Sequence, residues 1–261
     1  MASSQSDEAW EAIFSELKIA HHDFGAAPFV LSADSIKAIS RKHGCRTTEP
    51  RLLCKQDTRE SRPEVFKKNG CFILPKKNGE YCILKGEGYV DIPEITTDVV
   101  DYKSKLDFIP VSSFVGDSEM QYIDFAYASS LIRHFMNDPS LVLTIRGRKY
   151  TPKFSFRVCG NELSVESVQT EVDAGYEGEN SVVLVEAKNA NVRNTIIRQL
   201  YYPFRQWLQN TGKPTHTLFF ERRAVGAEML FYIWEYCFAD ANDYNSIRLV
   251  RSGRYRIVTE N

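Results

Sequence analysis

VVLVEAKN, residues 182–189, sets four apolar residues, three of them β-branched, directly before a glutamate, an alanine and a lysine. A short, continuous β-branched run is the pattern of a strand buried on both faces of a mixed or parallel sheet. Side chains alternate along a strand, so Val182, Leu184, Glu186 and Lys188 share one face, and Val183, Val185 and Ala187 the other. Opposite charges at the end of such a strand lie where open α/β sheets carry their sites. The bland alternative is a surface ion pair worth less than about 1 kcal/mol.

Upstream, VQTEVDAGYEG (residues 168–178) places Asp173 at the expected end of a neighbouring strand, before a turn at Gly175. An antiparallel pair would bring Asp173, Glu186 and Lys188 to one sheet edge. The two carboxylates can share Mg²⁺, a hard cation that takes oxygen ligands and keeps waters, with the main-chain carbonyl of Ala187 as a further ligand. Without a cation, two buried carboxylates would repel, and one would hold its proton. Lys188 would then supply a fixed positive charge to an attacking water or a phosphoryl group.

Asp173 followed by Glu186-Ala187-Lys188 resembles the D…(D/E)XK motif of the PD-(D/E)XK nuclease superfamily. RPEVFKKNGCFILPKKNGEYCILKGEGY (residues 62–89) is similar to the recognition region of some type II restriction endonucleases. The resemblance covers roughly residues 115–225 and, more loosely, the N-terminal third. It implies an α/β fold with a mixed β-sheet, restriction-endonuclease-like nuclease core and Mg²⁺-dependent, sequence-specific hydrolysis of double-stranded DNA. By position, Asp173 and Glu186 would be metal ligands and Lys188 the catalytic lysine. A homodimer and a cognate DNA methyltransferase as system partner are further implications. The motif's proline is absent, since position 172 is Val172. Glu171, on the same face as Asp173 in a regular strand, is an alternative first acid, and Glu119 on the preceding helix a candidate additional one.

Three helical segments and a hairpin occupy the N-terminal third. Trp10, Ile13, Phe14 and Leu17 recur at helical spacing. LSADSIKAISRKHG offers Ser32 or Asp34 as a cap and Gly44 as a stop. SRPEVFKKNG predicts a short helix between Pro63 and Gly70, and Asn78-Gly79 between CFILP and EYCILK predicts a hairpin. Together they resemble a winged helix-turn-helix. Between Lys37 and Lys77, positive charges exceed negative ones by eight, although the whole chain carries a net charge of only −1. Such a local basic region suits phosphate contact, and Arg41, Lys42, Arg46, Arg51, Lys55, Arg59, Arg62, Lys76 and Lys77 are the candidate DNA-binding residues. A solvated surface is the competing reading. Arg146, Arg148, Lys149, Lys153 and Arg157, and the arginines of SIRLVRSGRYRIV, are balanced between DNA contact and charged edge strands.

Two domains are therefore expected, residues 1–100 for DNA recognition and 101–261 for the nuclease core, joined through an acidic segment. Within the second, residues 118–138 predict one helix and residues 191–209 another, interrupted by Pro203. With 43% hydrophobic residues among 261, the chain can bury a substantial core. It has no run of 18 apolar residues and no basic-then-apolar start, so a cytoplasmic protein with no membrane partner is expected. The six cysteines form no CxxC pair; His43, Cys45 and Cys54 fit no common zinc spacing. Other functions consistent with the same residues are a structure-specific or repair nuclease, a non-catalytic DNA-binding regulator, and a small-molecule α/β enzyme.

Overall fold

In a computed structural model, residues 5–116, 118–189, 191–226 and 228–258 are described. The N-terminal unit begins with α1 (Gln5–Glu16), which buries Ala9, Trp10, Ile13 and Phe14. Trp10 Nε1 donates to the Leu53 carbonyl at 2.8 Å, tying α1 to the short helix that ends at Leu53. Strand β1 (Phe29–Ser32) runs into α2 (Ala33–Lys42), whose N-terminus is capped by Ser32 Oγ accepting from Ser35 N–H. Then follow α3 (Pro50–Leu53) and α4 (Glu64–Asn69), the latter stopped by Gly70 at φ +62°. β2 (Cys71–Lys77) and β3 (Glu80–Lys85) form the hairpin expected at Asn78-Gly79, and β1 completes an antiparallel sheet in the order β1-β3-β2.

This hairpin is buried on both faces. Cys71, Ile73 and Ile83 pack with α1, α2 and α4, whereas Phe72, Leu74, Cys82 and Leu84 belong to a second core shared with the C-terminal unit. That second core includes β7 (Phe154–Val158), β8 (Asn161–Val165) and Tyr201 and Tyr202 of α7 (Arg198–Thr211). Tyr202 Oη donates to the Pro75 carbonyl at 2.9 Å.

The centre of the molecule is a seven-stranded sheet. In chain order its strands are β5 (Val100–Lys103), β6 (Val142–Tyr150), β9 (Gln169–Glu177), β10 (Val182–Lys188), β12 (Thr215–Val225), β13 (Glu228–Phe238) and β14 (Ile247–Val258); in space they run β5-β14-β13-β12-β10-β9-β6. β10 lies parallel to β12 and β5 parallel to β14, and the other neighbours are antiparallel. The fold is thus mixed α/β with one large mixed sheet. α5 (Glu119–Ala128) and α6 (Leu131–Met136) cover the face bearing Val183, Val185 and Ala187. α7 crosses the other face between β10 and β12, as parallel neighbours require. Two small ribbons complete the chain, β7 with β8 and β4 (Tyr89–Asp91) with β11 (Asn194–Ile196).

Several expectations change. Of the residues assigned to the first expected domain, Tyr89–Asp91 pair as β4 with β11, and Val100 begins β5, the edge of the central sheet. The helix expected over 118–138 is two, broken at Ser130, which takes a left-handed φ of +66°. The helix expected from residue 191 starts at Arg198, because residues 194–196 extend to pair with β4. Gly175 is no turn; it lies inside β9, where a Cβ would come within 2.7 Å of Ile145, and the turn comes at 178–181. The arginines of SIRLVRSGRYRIV lie on one continuous twelve-residue strand, β14. Among the described residues no helix is long and apolar enough to cross a membrane.

Candidate active site

β9 and β10 pair from Glu177 and Val182 as far as Ala174 and Val185, and then separate. The cause lies in β9's other neighbour. Opposite Ile145 stands Gly175 and opposite Gly147 stands Val172, so β9 takes three steps while β6 takes two. Such a bulge reverses which face a side chain meets. Accordingly Ala174 and Tyr176 lie in the core under α5 and α6, whereas Val172 packs with Leu184 beneath α7. Asp173 sits at the fork, and its Oδ2 accepts the Ala187 N–H at 2.8 Å. In an extended strand a residue's N–H and C=O point to the same side, so the Ala187 carbonyl also faces the fork.

Glu186 and Lys188 share a face of β10, as their spacing requires, and Lys188 Nζ donates to Glu186 Oε1. Glu186 is only 8% exposed. Burial pushes its carboxyl up to about 7; Lys188 opposes the rise and Asp173 adds to it. Burial also raises the Asp173 carboxyl, against the Ala187 N–H and Lys188, with Glu119 and Glu171 adding to the rise. For Lys188, burial alone would favour the neutral amine, but the Glu186 carboxylate outweighs it and raises the ammonium above its ordinary value. The sequence-predicted trio therefore meets, and the pair on β10 joins a buried Glu186 to a half-buried Lys188 rather than bridging two exposed side chains.

Glu119, at the start of α5, belongs to the same neighbourhood: its Oε1 accepts the Asn189 N–H at 3.1 Å. Glu171 does not take the place of Asp173. The bulge breaks the alternation that would have aligned them, and Glu171 is exposed, accepting from Arg148 Nε at 3.3 Å. Gln199 and Pro203 of α7 line a slot of about 10 Å³ with Glu186, Glu171 and Thr217, room for one water. Arg198, the first residue of α7, adds positive potential that lowers the Glu186 carboxyl.

Sequence reading missed Glu221. On β12 it is the register partner of Lys188 and fully buried. It accepts the Val192 N–H at 3.1 Å and Arg223 Nε at 2.8 Å, and Arg223 continues to Glu94 at 2.8 Å. Glu119 and Glu221 thus hold Asn189 and Val192, which follow β10. A lone acid ending THTLFFE, between strand and arginines, carries no signal of this role.

The oxygen-only donors at the fork, two carboxylates raised by burial and one carbonyl, fit a hard divalent cation. Among the described residues, no group of three or more His, Cys, Asp or Glu side chains is gathered as a metal cage. Mg²⁺ commonly uses only one or two carboxylates and keeps its waters. His43 binds Glu16 instead of joining Cys45 and Cys54.

The nine basic candidates divide. Arg59 is structural, pairing with Glu87 and Asp91 and donating to the Tyr89 carbonyl. Arg62 is structural as well, donating to the carbonyls of Arg59 and Cys71 above the Tyr89 ring. Lys42, Lys55 and Lys76 are in ion pairs with Glu16, Asp57 and Glu80. Arg41, Arg46, Arg51 and Lys77 are exposed and join no ion pair among the described residues. In the C-terminal unit, Arg146, Arg157 and Arg256 are occupied by Asp124, Asp240 and Asp101.

No curated protein and no solved structure matches the chain. Residues 7–83 match a family described as a domain of unknown function, DUF6996. Residues 84–256 match a second, so that over most of its length the chain belongs to the family described as a domain of unknown function, DUF6997.

Proposed function

We propose that this protein is a Mg²⁺-dependent, sequence-specific endonuclease that hydrolyses phosphodiester bonds of double-stranded DNA, a type II restriction enzyme of the PD-(D/E)XK kind. The observation that carries the reading is the meeting of Asp173, Glu186 and Lys188 at the fork between β9 and β10. Two carboxylates whose burial opposes their own ionisation await a cation, and a half-buried lysine is held charged beside them. Asp173, Glu186 and the Ala187 carbonyl would hold the metal, which when bound lowers the pKa of a coordinated water and neutralises a phosphoryl oxygen. Lys188 orients the attacking water or stabilises charge at phosphorus, and Glu186 keeps Lys188 protonated for that role. Glu119 is the additional acid nearest the fork.

The N-terminal order of helix, strand, helices and hairpin, with sheet order β1-β3-β2, supports a winged-helix-like recognition unit. Arg41, Arg46, Arg51 and Lys77 are its available phosphate contacts. On this reading the enzyme is cytoplasmic, works as a homodimer on symmetric sites and accompanies a DNA methyltransferase.

Plasmid and phage DNA incubated with the protein and Mg²⁺ test the proposal. Discrete fragments support a restriction enzyme, structure-dependent nicking favours a repair nuclease of the same core, and binding without cleavage favours a regulator. Lys188→Ala should lower cleavage by about 10²–10³-fold while leaving DNA binding intact; cleavage at the wild-type rate would remove Lys188 from the mechanism.

A further inference from the structure

The entry to α7 is stitched into a seam between the two units. Ile196 N–H donates to the Asp57 carbonyl of the N-terminal unit at 2.9 Å, and Ile197 N–H to the Gly88 carbonyl at 3.0 Å. The next residue, Arg198, opens α7 on the sheet face that carries Glu186 and Lys188, beside Gln199, which lines the slot with Glu186. Its charge is felt on both sides of the seam. Burial raises the Glu186 carboxyl on one side and the Cys54 thiol and Tyr81 hydroxyl on the other, and Arg198 works against all three rises.

Arg198 is half-buried, yet among the described residues its guanidinium has neither an acceptor nor an aromatic ring. The other half-buried arginines all have one or the other, as Arg62 has the Cys71 carbonyl, Arg205 the Ser155 carbonyl and Arg222 the face of Tyr122. Shielding a guanidinium without a partner costs free energy that a bound anion returns. The fork indicates which anion. Lys188 Nζ already donates to Glu186, and a divalent cation would be matched by Asp173 and Glu186. A nucleic-acid strand laid across the fork brings a charge at every nucleotide, so the phosphate beside the one at the metal needs a counter-charge of its own.

We propose that Arg198 binds a phosphate of the DNA strand laid across the fork, next to the scissile phosphate and on the side of the N-terminal unit. A planar guanidinium suits two oxygens of one phosphate. This contact rests on the nuclease reading of the fork. It is separate from the exposed arginines of the N-terminal unit, and it ties the strand held by that unit to the bond that is cut.

Fluorescence anisotropy of the full chain with a short labelled DNA duplex, in EDTA and over a range of salt, tests it. Arg198→Gln should bind about tenfold more weakly and reduce the slope of log affinity against log salt by about 1. It should melt close to wild type, since it breaks no internal bond. Arg198→Lys keeps the charge and should keep the slope. On a duplex that the wild type cuts in Mg²⁺, methylphosphonates are placed in turn at the phosphates flanking the cut. At one of them the methylphosphonate and Arg198→Gln should each lower kcat/KM by about tenfold and together by little more than either alone, because both delete one contact. An unchanged slope in Arg198→Gln, an equal loss of slope in Arg198→Lys, or losses that multiply at every flanking phosphate overturns the proposal. So does an Arg198→Gln variant that no longer melts cooperatively, which would make the guanidinium structural, and so does a wild type that binds no duplex. A wild type that binds and never cuts counts against the nuclease reading alone, and the slopes of the two variants still decide for or against Arg198.

Discussion

Asp173 Oδ2 accepts the Ala187 N–H at 2.8 Å, so a side chain stands where the next rung of the β9–β10 ladder would be. The hydrogen bond and the charge of this carboxylate can be separated. Asp173→Asn keeps an acceptor oxygen and should melt close to wild type, whereas Asp173→Ala orphans a partly buried N–H and should lose about 1–3 kcal/mol. Both should lose the increase in melting temperature that millimolar Mg²⁺ or Mn²⁺ gives the wild type. An undiminished metal shift in either variant would place the cation elsewhere.

Glu186 makes stability depend on pH in an unusual direction. Its carboxyl is raised to about 7 in the folded protein from an ordinary value near 4.5. Between those values the folded state keeps a proton that the unfolded chain has released. Stability therefore falls as pH rises through that window, by up to about 3 kcal/mol, and is unaffected by this group below it. Glu186→Gln should flatten the profile between pH 5 and 8 in urea titrations. Because the cation needs the ionised pair, its stabilising effect on the wild type should be larger at pH 8 than at pH 6.

Glu221→Ala should cost about 2–4 kcal/mol, since it strands the shielded Arg223 guanidinium and the Val192 N–H together. Glu221→Gln keeps the acceptor and should retain most stability. If the segment after Lys188 must be held for catalysis, Glu221→Ala should also lower kcat at temperatures where it remains folded; an unchanged kcat would leave Glu221 a purely structural residue.

The basic candidates separate by what they touch. Charge reversal at Arg46 and Arg51 should weaken DNA binding and reduce the slope of log affinity against log salt by about 1 for each phosphate no longer neutralised. Arg59→Ala should instead lower the melting temperature, because Arg59 bridges Glu87, Asp91 and the Tyr89 carbonyl. A salt slope unchanged by both reversals would mean that this face does not grip DNA.

What was legible in the chain was local. The Asn78-Gly79 hairpin, the Ser32 cap, the Gly70 stop and the buried strand ending in Glu186 each follow from a few adjacent residues. What was hidden depended on remote partners. The bulge at Asp173 exists because β6 takes fewer steps than β9, a fact about two strands and not about VQTEVDAGYEG. Ile196 has helical spacing with α7, yet the ladder to β4, about a hundred residues earlier, claims it for a strand. Arg59 and Arg62 have the composition of phosphate contacts and are spent on carbonyls and carboxylates brought in by folding.

The N-terminal hairpin wedged between two cores has a mechanical corollary. With Phe72 and Leu74 rooted beside Tyr201 and Tyr202 while Ile73 and Ile83 hold the N-terminal helices, the front of the molecule has no free joint about which to swivel. Whatever the exposed arginines of the N-terminal unit grasp is thereby delivered at a constant offset from Asp173 and Glu186, like work clamped in a jig. Severing the chain between its two family segments would lay bare oily surface on each fragment instead of releasing two working halves.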